Sequence, residues 1–248
     1  MAEIEVLVNG ARGKMGRTVV AAVTGAADMR VAAEVDLDDD LDSALAQKPT
    51  VMVDFTAPSA AFANAQQALN AGVAPVIGTT GMSVDEVDQL AQQAERAEIG
   101  GAVIPNFAIG AVLMMRLAET AAPYFDAVEV IEAHSQAKLD APSGTAVATA
   151  RRLAQARQEP FSYTRPEKVT IENARGGESD NIGVHSLRLP GLVADQEVVF
   201  GALGQTLTIA HRTTSRESFM PGVLATIRAV ADTGRFYRSL DEVLGLDD

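Results

Sequence analysis

The 248-residue sequence predicts an α/β protein: a doubly wound parallel sheet, followed by a central α+β domain with a mostly antiparallel sheet. Three observations predict it. Short, nearly unbroken apolar runs alternate with helical stretches as far as Gly101–Ile104. Strands covered on both faces read this way, because neither face has to meet water. The alternation then stops after Pro105-Asn106-Phe107. Further on, strand-like runs follow one another across short connections that hold Pro190-Gly191 and Leu203-Gly204, which signal hairpins.

Ile4–Val8 is the first strand, ended by Asn9-Gly10, and 14–26 is helical. Met29–Val35 and Pro49–Phe55 are strands; the acidic run Asp36–Asp42 between them is expected to be a loop. Ser59–Ala71 is a helix and Val73–Ile77 a fourth strand. Ser83–Ala97 is a helix opened by a Ser83-x-x-Glu86 capping box, and Gly101–Ile104 is the fifth strand. Right-handed crossovers between such strands give a doubly wound sheet. In the second part Val128–Glu132 is a strand and Ser143–Arg157 a helix, with Ser143 or Asp140 as its N-cap. After a polar stretch, 158–180, come strands at Val184–Leu189, Asp195–Gly201 and Thr206–His211. Phe219–Ala231 and Leu240–Leu246 are closing helices, expected to return to the first domain. The domain expectation is therefore residues 1–106 completed by 216–248, with 107–215 as the central domain.

Bulk properties narrow the function. A net charge of −13 argues against nucleic acid or an anionic membrane as a general partner. The absence of cysteine removes disulfides, thiolate metal sites and cysteine nucleophiles. The three histidines are far apart, so no metal site is expected. The N-terminus MAEIEVLVNG has no basic region followed by a long apolar core, and no stretch reaches about 18 uncharged apolar residues. A cytoplasmic protein is expected.

The turn after the first strand reads Gly10-Ala11-Arg12-Gly13-Lys14-Met15-Gly16, a G-x-x-G-x-x-G spacing between strand and helix. Glycines permit a tight turn and close approach of backbone N–H groups to a pyrophosphate, and the helix start adds its positive dipole end. Asp36, 20 residues after Gly16, stands where an acid would hold ribose hydroxyls. The first domain is thus Rossmann-like. Asp36 favours NADH, whereas Arg12 and Lys14 would tolerate the 2′-phosphate of NADPH, so both cofactors are expected; plain surface charge is the alternative for the two cations. Two more loops fall at C-terminal strand ends, where open α/β sheets bind ligands. They are Asp54-Phe55-Thr56-Ala57-Pro58 and Gly78-Thr79-Thr80-Gly81, whose donors suit a nicotinamide amide or serve turn chemistry alone.

The densest chemistry lies in EAHSQAKLDAPSGTA, Glu132–Ala146. His134 is a candidate general acid, because imidazole titrates near neutrality; a structural histidine is the alternative. Lys138 can hold a carboxylate. Ser143, Gly144 and Thr145 open a helix and form either a second anion site or a plain cap. Together they suggest a small substrate bearing carboxylates.

These residues resemble the bacterial 4-hydroxy-tetrahydrodipicolinate (dihydrodipicolinate) reductase family over nearly the whole chain. The hallmark E-x-H-H-x-x-K-x-D-x-P-S-G-T-A matches at Glu132, His134, Lys138, Asp140, Pro142, Ser143, Gly144, Thr145 and Ala146. The glycine loop, Asp54-Phe55-Thr56, Gly78–Gly81, Pro105-Asn106-Phe107, Arg175-Gly176-Gly177, Gly183–Arg188 and Ser218–Gly222 match in order. The resemblance implies hydride transfer from NADH or NADPH to C4 of the ring after the 4-hydroxyl leaves as water, in lysine and diaminopimelate synthesis. It implies that His134 protonates the neighbouring ring carbon, that Lys138 assists, and that Ser143, Gly144 and Thr145 hold a substrate carboxylate. Phe55, Gly78, Thr79, Thr80, Pro105, Asn106 and Phe107 would line the nicotinamide side. A homotetramer built through the central sheets is also implied. One position departs: the second histidine of the pair is Ser135, where the family's side chain helps hold substrate. Serine keeps a donor and loses the ring and its charge. The departure leaves open a weaker substrate contact, a paralogue acting on another cyclic imine or unsaturated acid, or a nucleotide-binding sensor with little turnover.

Overall fold

The computed structural model describes residues 3–246; Met1, Ala2, Asp247 and Asp248, at the outer ends of the first-domain expectation, lie outside them. The chain divides into two compact units, Met1–Ile109 with Arg216–Asp248, and Gly110–Ser215.

The first unit is built on a six-stranded sheet. Its strands are β1 (Ile4–Asn9), β2 (Met29–Val35), β3 (Val51–Asp54), β4 (Ala74–Ile77), β5 (Gly101–Val103) and β11 (Phe236–Tyr237), in the order β11-β5-β4-β3-β1-β2. Every pairing is parallel. β3 and β4 are buried at every residue, which explains their unbroken apolar sequence. The crossovers include α1 (Lys14–Thr24), α2 (Leu41–Leu45), α3 (Pro58–Asn70) and α4 (Val84–Ala97). The Ser83–Glu86 capping box opens α4. One core cluster joins Leu7, Met52 and Ile77 of the sheet to Ala61, Ala65 and Leu90 of the helices.

Two features of this unit differ from expectation. The acidic run Asp36–Asp42 is not all loop, because α2 begins within it. The Asp40 carboxylate accepts from the amides of Asp42 and Ser43, and this cap supports a five-residue helix. The chain end also returns as a sixth strand, β11, beside β5. Two residues flanked by Arg235 and Arg238 carry no alternating pattern that could announce a strand.

The second unit takes α5 (Ile109–Ala121) from Gly110 on and holds β6 (Ala127–His134), α6 (Gly144–Gln155), β7 (Gly177–Ser179), β8 (Ile182–Arg188), β9 (Ala194–Ala202) and β10 (Gln205–His211). The closing helices α7 (Met220–Thr233) and α8 (Leu240–Leu244) belong to the first unit. The second sheet runs β10-β9-β6-β8-β7. It is antiparallel except for β6 and β8, which run parallel. The Leu203-Gly204 turn joins neighbours β9 and β10. The hairpin expected at Pro190-Gly191 is not formed, because β6 inserts between β8 and β9 and pairs with both. Alternate residues of β6 face the core, where Val128 and Val130 pack with Ala146, Ala150 and Leu153 of α6. The next residue in that alternation is Glu132. Among the described residues, no helix is long and apolar enough to cross a membrane.

Candidate active site

In the first unit three loops lie at the C-terminal ends of β1, β3 and β4. The glycine loop is held by its own backbone. The amides of Gly10 and Ala11 donate to Val35 O, and that of Gly13 to Gly10 O. The amide of Arg12 donates to the Asp36 carboxylate at 2.7 Å. The loop amides are thus spent on shaping the turn. The amides of Lys14, Met15 and Gly16 then open α1, which has no side-chain cap and no acid in its first turn. Glycine is required at Gly16, where a Cβ would lie 2.0 Å from Gly10 O. Hydrogen bonds from Leu37 N and Arg12 N hold Asp36 below the ordinary carboxylate range. The Arg12 guanidinium reaches Asp39 at 2.9 Å and Asp36 at 4.0 Å, so it is paired and not simply solvated. Lys14 is exposed.

Beneath these loops lies an acid that sequence reasoning treated only as part of a motif. Asp54 is fully buried. It accepts from Asn9 Nδ2 (2.9 Å), Asn64 Nδ2 (2.8 Å), Thr56 N (3.1 Å), Thr56 Oγ1 (2.8 Å) and Thr79 Oγ1 (2.9 Å). One carboxylate thereby ties β1 to the loops after β3 and β4. The Thr79 hydroxyl proton is directed at Asp54, while Thr80 is exposed. Gly78 lies against the Phe55 ring, where a Cβ would come within 2.2 Å. Phe55 in turn meets Phe107 with ring centroids 5.8 Å apart, and Asn106 Oδ1 accepts from Ala108 N at 2.9 Å. Pro105 is exposed beside them.

In the second unit the residues of the opening motif gather around Glu132, whose side chain is 0 % exposed. Arg188 grips it with two parallel hydrogen bonds, Nη1 to Oε2 and Nη2 to Oε1, each 2.9 Å. His134 Nδ1 lies 2.6 Å from Oε2, and the Ser143 amide donates to Oε1 at 3.2 Å. Burial opposes ionisation of Glu132, but hydrogen bonds from Arg188, Ser186 and His134 outweigh it and lower its pKa to about 2. The carboxylate is therefore charged. Register explains the meeting: across β6 and β8, Glu132 stands beside Ser186 and His134 beside Arg188.

From His134 the chain turns. Lys138 N donates to Ser135 O, and Lys138 Nζ to Asp140 at 2.9 Å. The lysine hydrogen bond, ahead of burial, keeps Asp140 below its ordinary value. Arg188 Nη2 also donates to the Asp140 carbonyl at 2.6 Å, anchoring the Lys138 turn. Ser143 caps α6 by accepting from Ala146 N, which settles the choice between Ser143 and Asp140. Exposed Gly144 and half-buried Thr145 form the first turn, which holds no acid. The structure thus brings His134, Ser135, Lys138, Ser143, Gly144 and Thr145 onto one strand end, turn and helix start. Sequence reasoning gave no site role to Arg188 or Glu132. Arg188 lies 56 residues from its partner, so no spacing announced the pair; Glu132 was visible as the first letter of the hallmark.

Comparison with known proteins decides the family. Residues 4–107 match the model for dihydrodipicolinate reductase, N-terminus, and residues 110–244 the model for its C-terminus. The chain belongs to the dihydrodipicolinate reductase family. It is 43 % identical to a 4-hydroxy-tetrahydrodipicolinate reductase of Picosynechococcus sp., covering 98 % of each chain. It is 44 % identical to the reductase of that name from Moorella thermoacetica, covering 98 % of this chain and 99 % of the other. Among solved structures, the dipicolinate-bound dihydrodipicolinate reductase from Paenisporosarcina sp. TG-14 superposes with a TM-score of 0.86 at 39 % identity. That match spans 97 % of this chain and 99 % of that one. The dihydrodipicolinate reductase models meet between residues 107 and 110, where the chain passes from one compact unit to the other.

Proposed function

We propose that this chain reduces 4-hydroxy-tetrahydrodipicolinate to tetrahydrodipicolinate with NADH or NADPH, in lysine and diaminopimelate synthesis. The observation that carries the reading is His134, an imidazole fixed on a buried carboxylate at the head of the Lys138 turn. When bound, the nicotinamide supplies a hydride to ring carbon C4 once the 4-hydroxyl has left as water. His134 supplies the proton to the neighbouring ring carbon. Lys138 exchanges Asp140 for a substrate carboxylate, and Ser143, Gly144 and Thr145 donate to a carboxylate at the start of α6. Ser135 offers a hydroxyl that makes no hydrogen bond among the described residues. The substrate class is a small cyclic dicarboxylate.

The residues present fit a dinucleotide. The uncapped first turn of α1, Lys14 to Gly16, offers amides to a pyrophosphate behind the turn of Gly10, Ala11, Arg12 and Gly13. Asp36, ionised, accepts from ribose hydroxyls; Arg12, already at the acidic run, turns to a 2′-phosphate when one is there. Phe55, Gly78, Thr79, Thr80, Pro105, Asn106 and Phe107 line the nicotinamide side. Residues 1–106 with 216–248 serve the cofactor and 107–215 the substrate.

Replacing His134 by Gln should lower turnover by about a hundredfold or more while NADH affinity barely changes, since general acids contribute about that much. Unchanged turnover would remove His134 from the chemistry. We also propose a homotetramer through the outer face of the second sheet, where Leu187 is 39 % exposed and Val199 is half-buried. Light scattering should then give four times the 26.0 kDa chain mass; a monomer at working concentration would refute it.

A further inference from the structure

We infer that Glu132 and Arg188 are positioning residues that fix the tautomer of His134, so that Nε2 alone carries the transferable proton. The inference rests on the reading of His134 as the acid.

An ionised carboxylate only accepts hydrogen bonds. Glu132 is ionised, and its Oε2 lies 2.6 Å from His134 Nδ1, so the bridging proton belongs to Nδ1. Nε2 is then the nitrogen free to meet a ligand. It is an N–H in the imidazolium and a bare lone pair in the neutral ring. Donation from Nε2 leaves the neutral ring with its proton on Nδ1, the one neutral form Glu132 accepts. The ring need not flip or trade its partner between turnovers.

Glu132 holds this form only while it stays charged and still. Both conditions come from Arg188. Its fork meets the two carboxylate oxygens at 2.9 Å each, a geometry that lysine cannot copy. Its remaining hydrogen bonds go to the Leu187 and Asp140 carbonyls at 2.7 and 2.6 Å, so the guanidinium is itself held. The Asp140 contact places the Lys138 turn on the same anchor as the proton donor. The Ser143 amide on Oε1 adds the start of α6. The charged groups around His134 are Glu132 on its own strand, Arg188 on β8, and the Lys138–Asp140 pair on the next turn; β9 sets Ala194 opposite it. Outer partners of this kind orient an imidazole in metal sites and in the Ser-His-Asp triad by the same logic.

The test is nitrogen NMR of the full chain labelled at histidine. Only His134, His185 and His211 contribute, and His134→Gln identifies its signals by deletion. At a pH where the ring is neutral, His134 should show a protonated Nδ1 and a bare Nε2. His185, whose Nε2 faces Glu129 at 2.6 Å, should show the opposite pattern and serves as an internal control. In Glu132→Gln the amide can donate as well as accept, so the Nε2-protonated form should appear, and kcat should fall at least about tenfold with the KM for NADH unchanged. Arg188→Lys keeps a cation but loses the fork, so part of the Nε2-protonated form should appear and kcat should fall several-fold. A wild-type His134 protonated on Nε2 would overturn the inference without need of any variant, even if Glu132→Gln failed to fold. So would a Glu132→Gln enzyme with unchanged tautomer and kcat. Full turnover in His134→Gln would instead sink the acid reading, whatever the spectrum shows.

Discussion

His134, the proposed acid, is held by a neighbour two residues away. In a strand, positions i and i+2 share a face, so Glu132 and His134 of β6 point the same way. Glu132 takes the place where the alternation of Val128 and Val130 demands an apolar side chain, and Arg188 makes that tolerable. A buried charge is kept only when paired and hydrogen-bonded. The hallmark was legible as a motif in the sequence, but its geometry was not, because Arg188 is remote along the chain. Ser135 is the residue-scale departure from the family pattern. If its ring-for-hydroxyl exchange weakens one contact to a charged group, Ser135→His should strengthen substrate binding. A gain of about 1.5–3 kcal/mol corresponds to roughly a ten- to hundredfold lower KM, with kcat little changed. Steady-state kinetics would show it; an unchanged or higher KM would mean that this chain holds its substrate by other groups.

At the scale of elements, the central strands of the first sheet were legible because parallel strands buried on both faces leave continuous apolar runs, and those of the second sheet by their alternation. Among the α-helices and β-strands of the described residues, four were not. α2 hid in an acidic run because five residues, capped by Asp40, are too few to show a period. α5 reads IGAVLMMRLAETA, apolar almost all round, so it shows no polar face to give it away. β7 and β11 are three and two residues long. The missed topology has a different cause. Pro190-Gly191 is a sound turn signal, but turn chemistry cannot report that β6 will slip between the strands it joins. The glycine loop is where element and site meet. Gly16→Ala puts a methyl 2.0 Å from Gly10 O, so the start of α1 must shift away from the turn. Overpacking of this kind costs about 1–3 kcal/mol. Calorimetry should show NADH affinity falling at least about tenfold by that measure, while binding of a small cyclic dicarboxylate, the proposed substrate class, is kept. Equal loss of both would mean that the change unfolds the protein and does not act on one loop.

The whole molecule divides its chemistry by unit. The first unit carries the open helix turn, Asp36 and the Asp54 hub; the second carries the Glu132 cluster and the start of α6. In the proposed reaction both units are needed, because the glycine loop lies in the first and His134 in the second. The most direct test of the account is oxidation of NADH, and separately NADPH, with substrate formed in place from pyruvate and aspartate semialdehyde by the preceding synthase. Reduced nicotinamide is followed by its absorbance. Rapid loss of absorbance that depends on both enzyme and substrate is expected, with NADH and NADPH both used. No loss with either, from a folded protein that still binds NADH, would contradict it and leave the substrate unit serving another ligand.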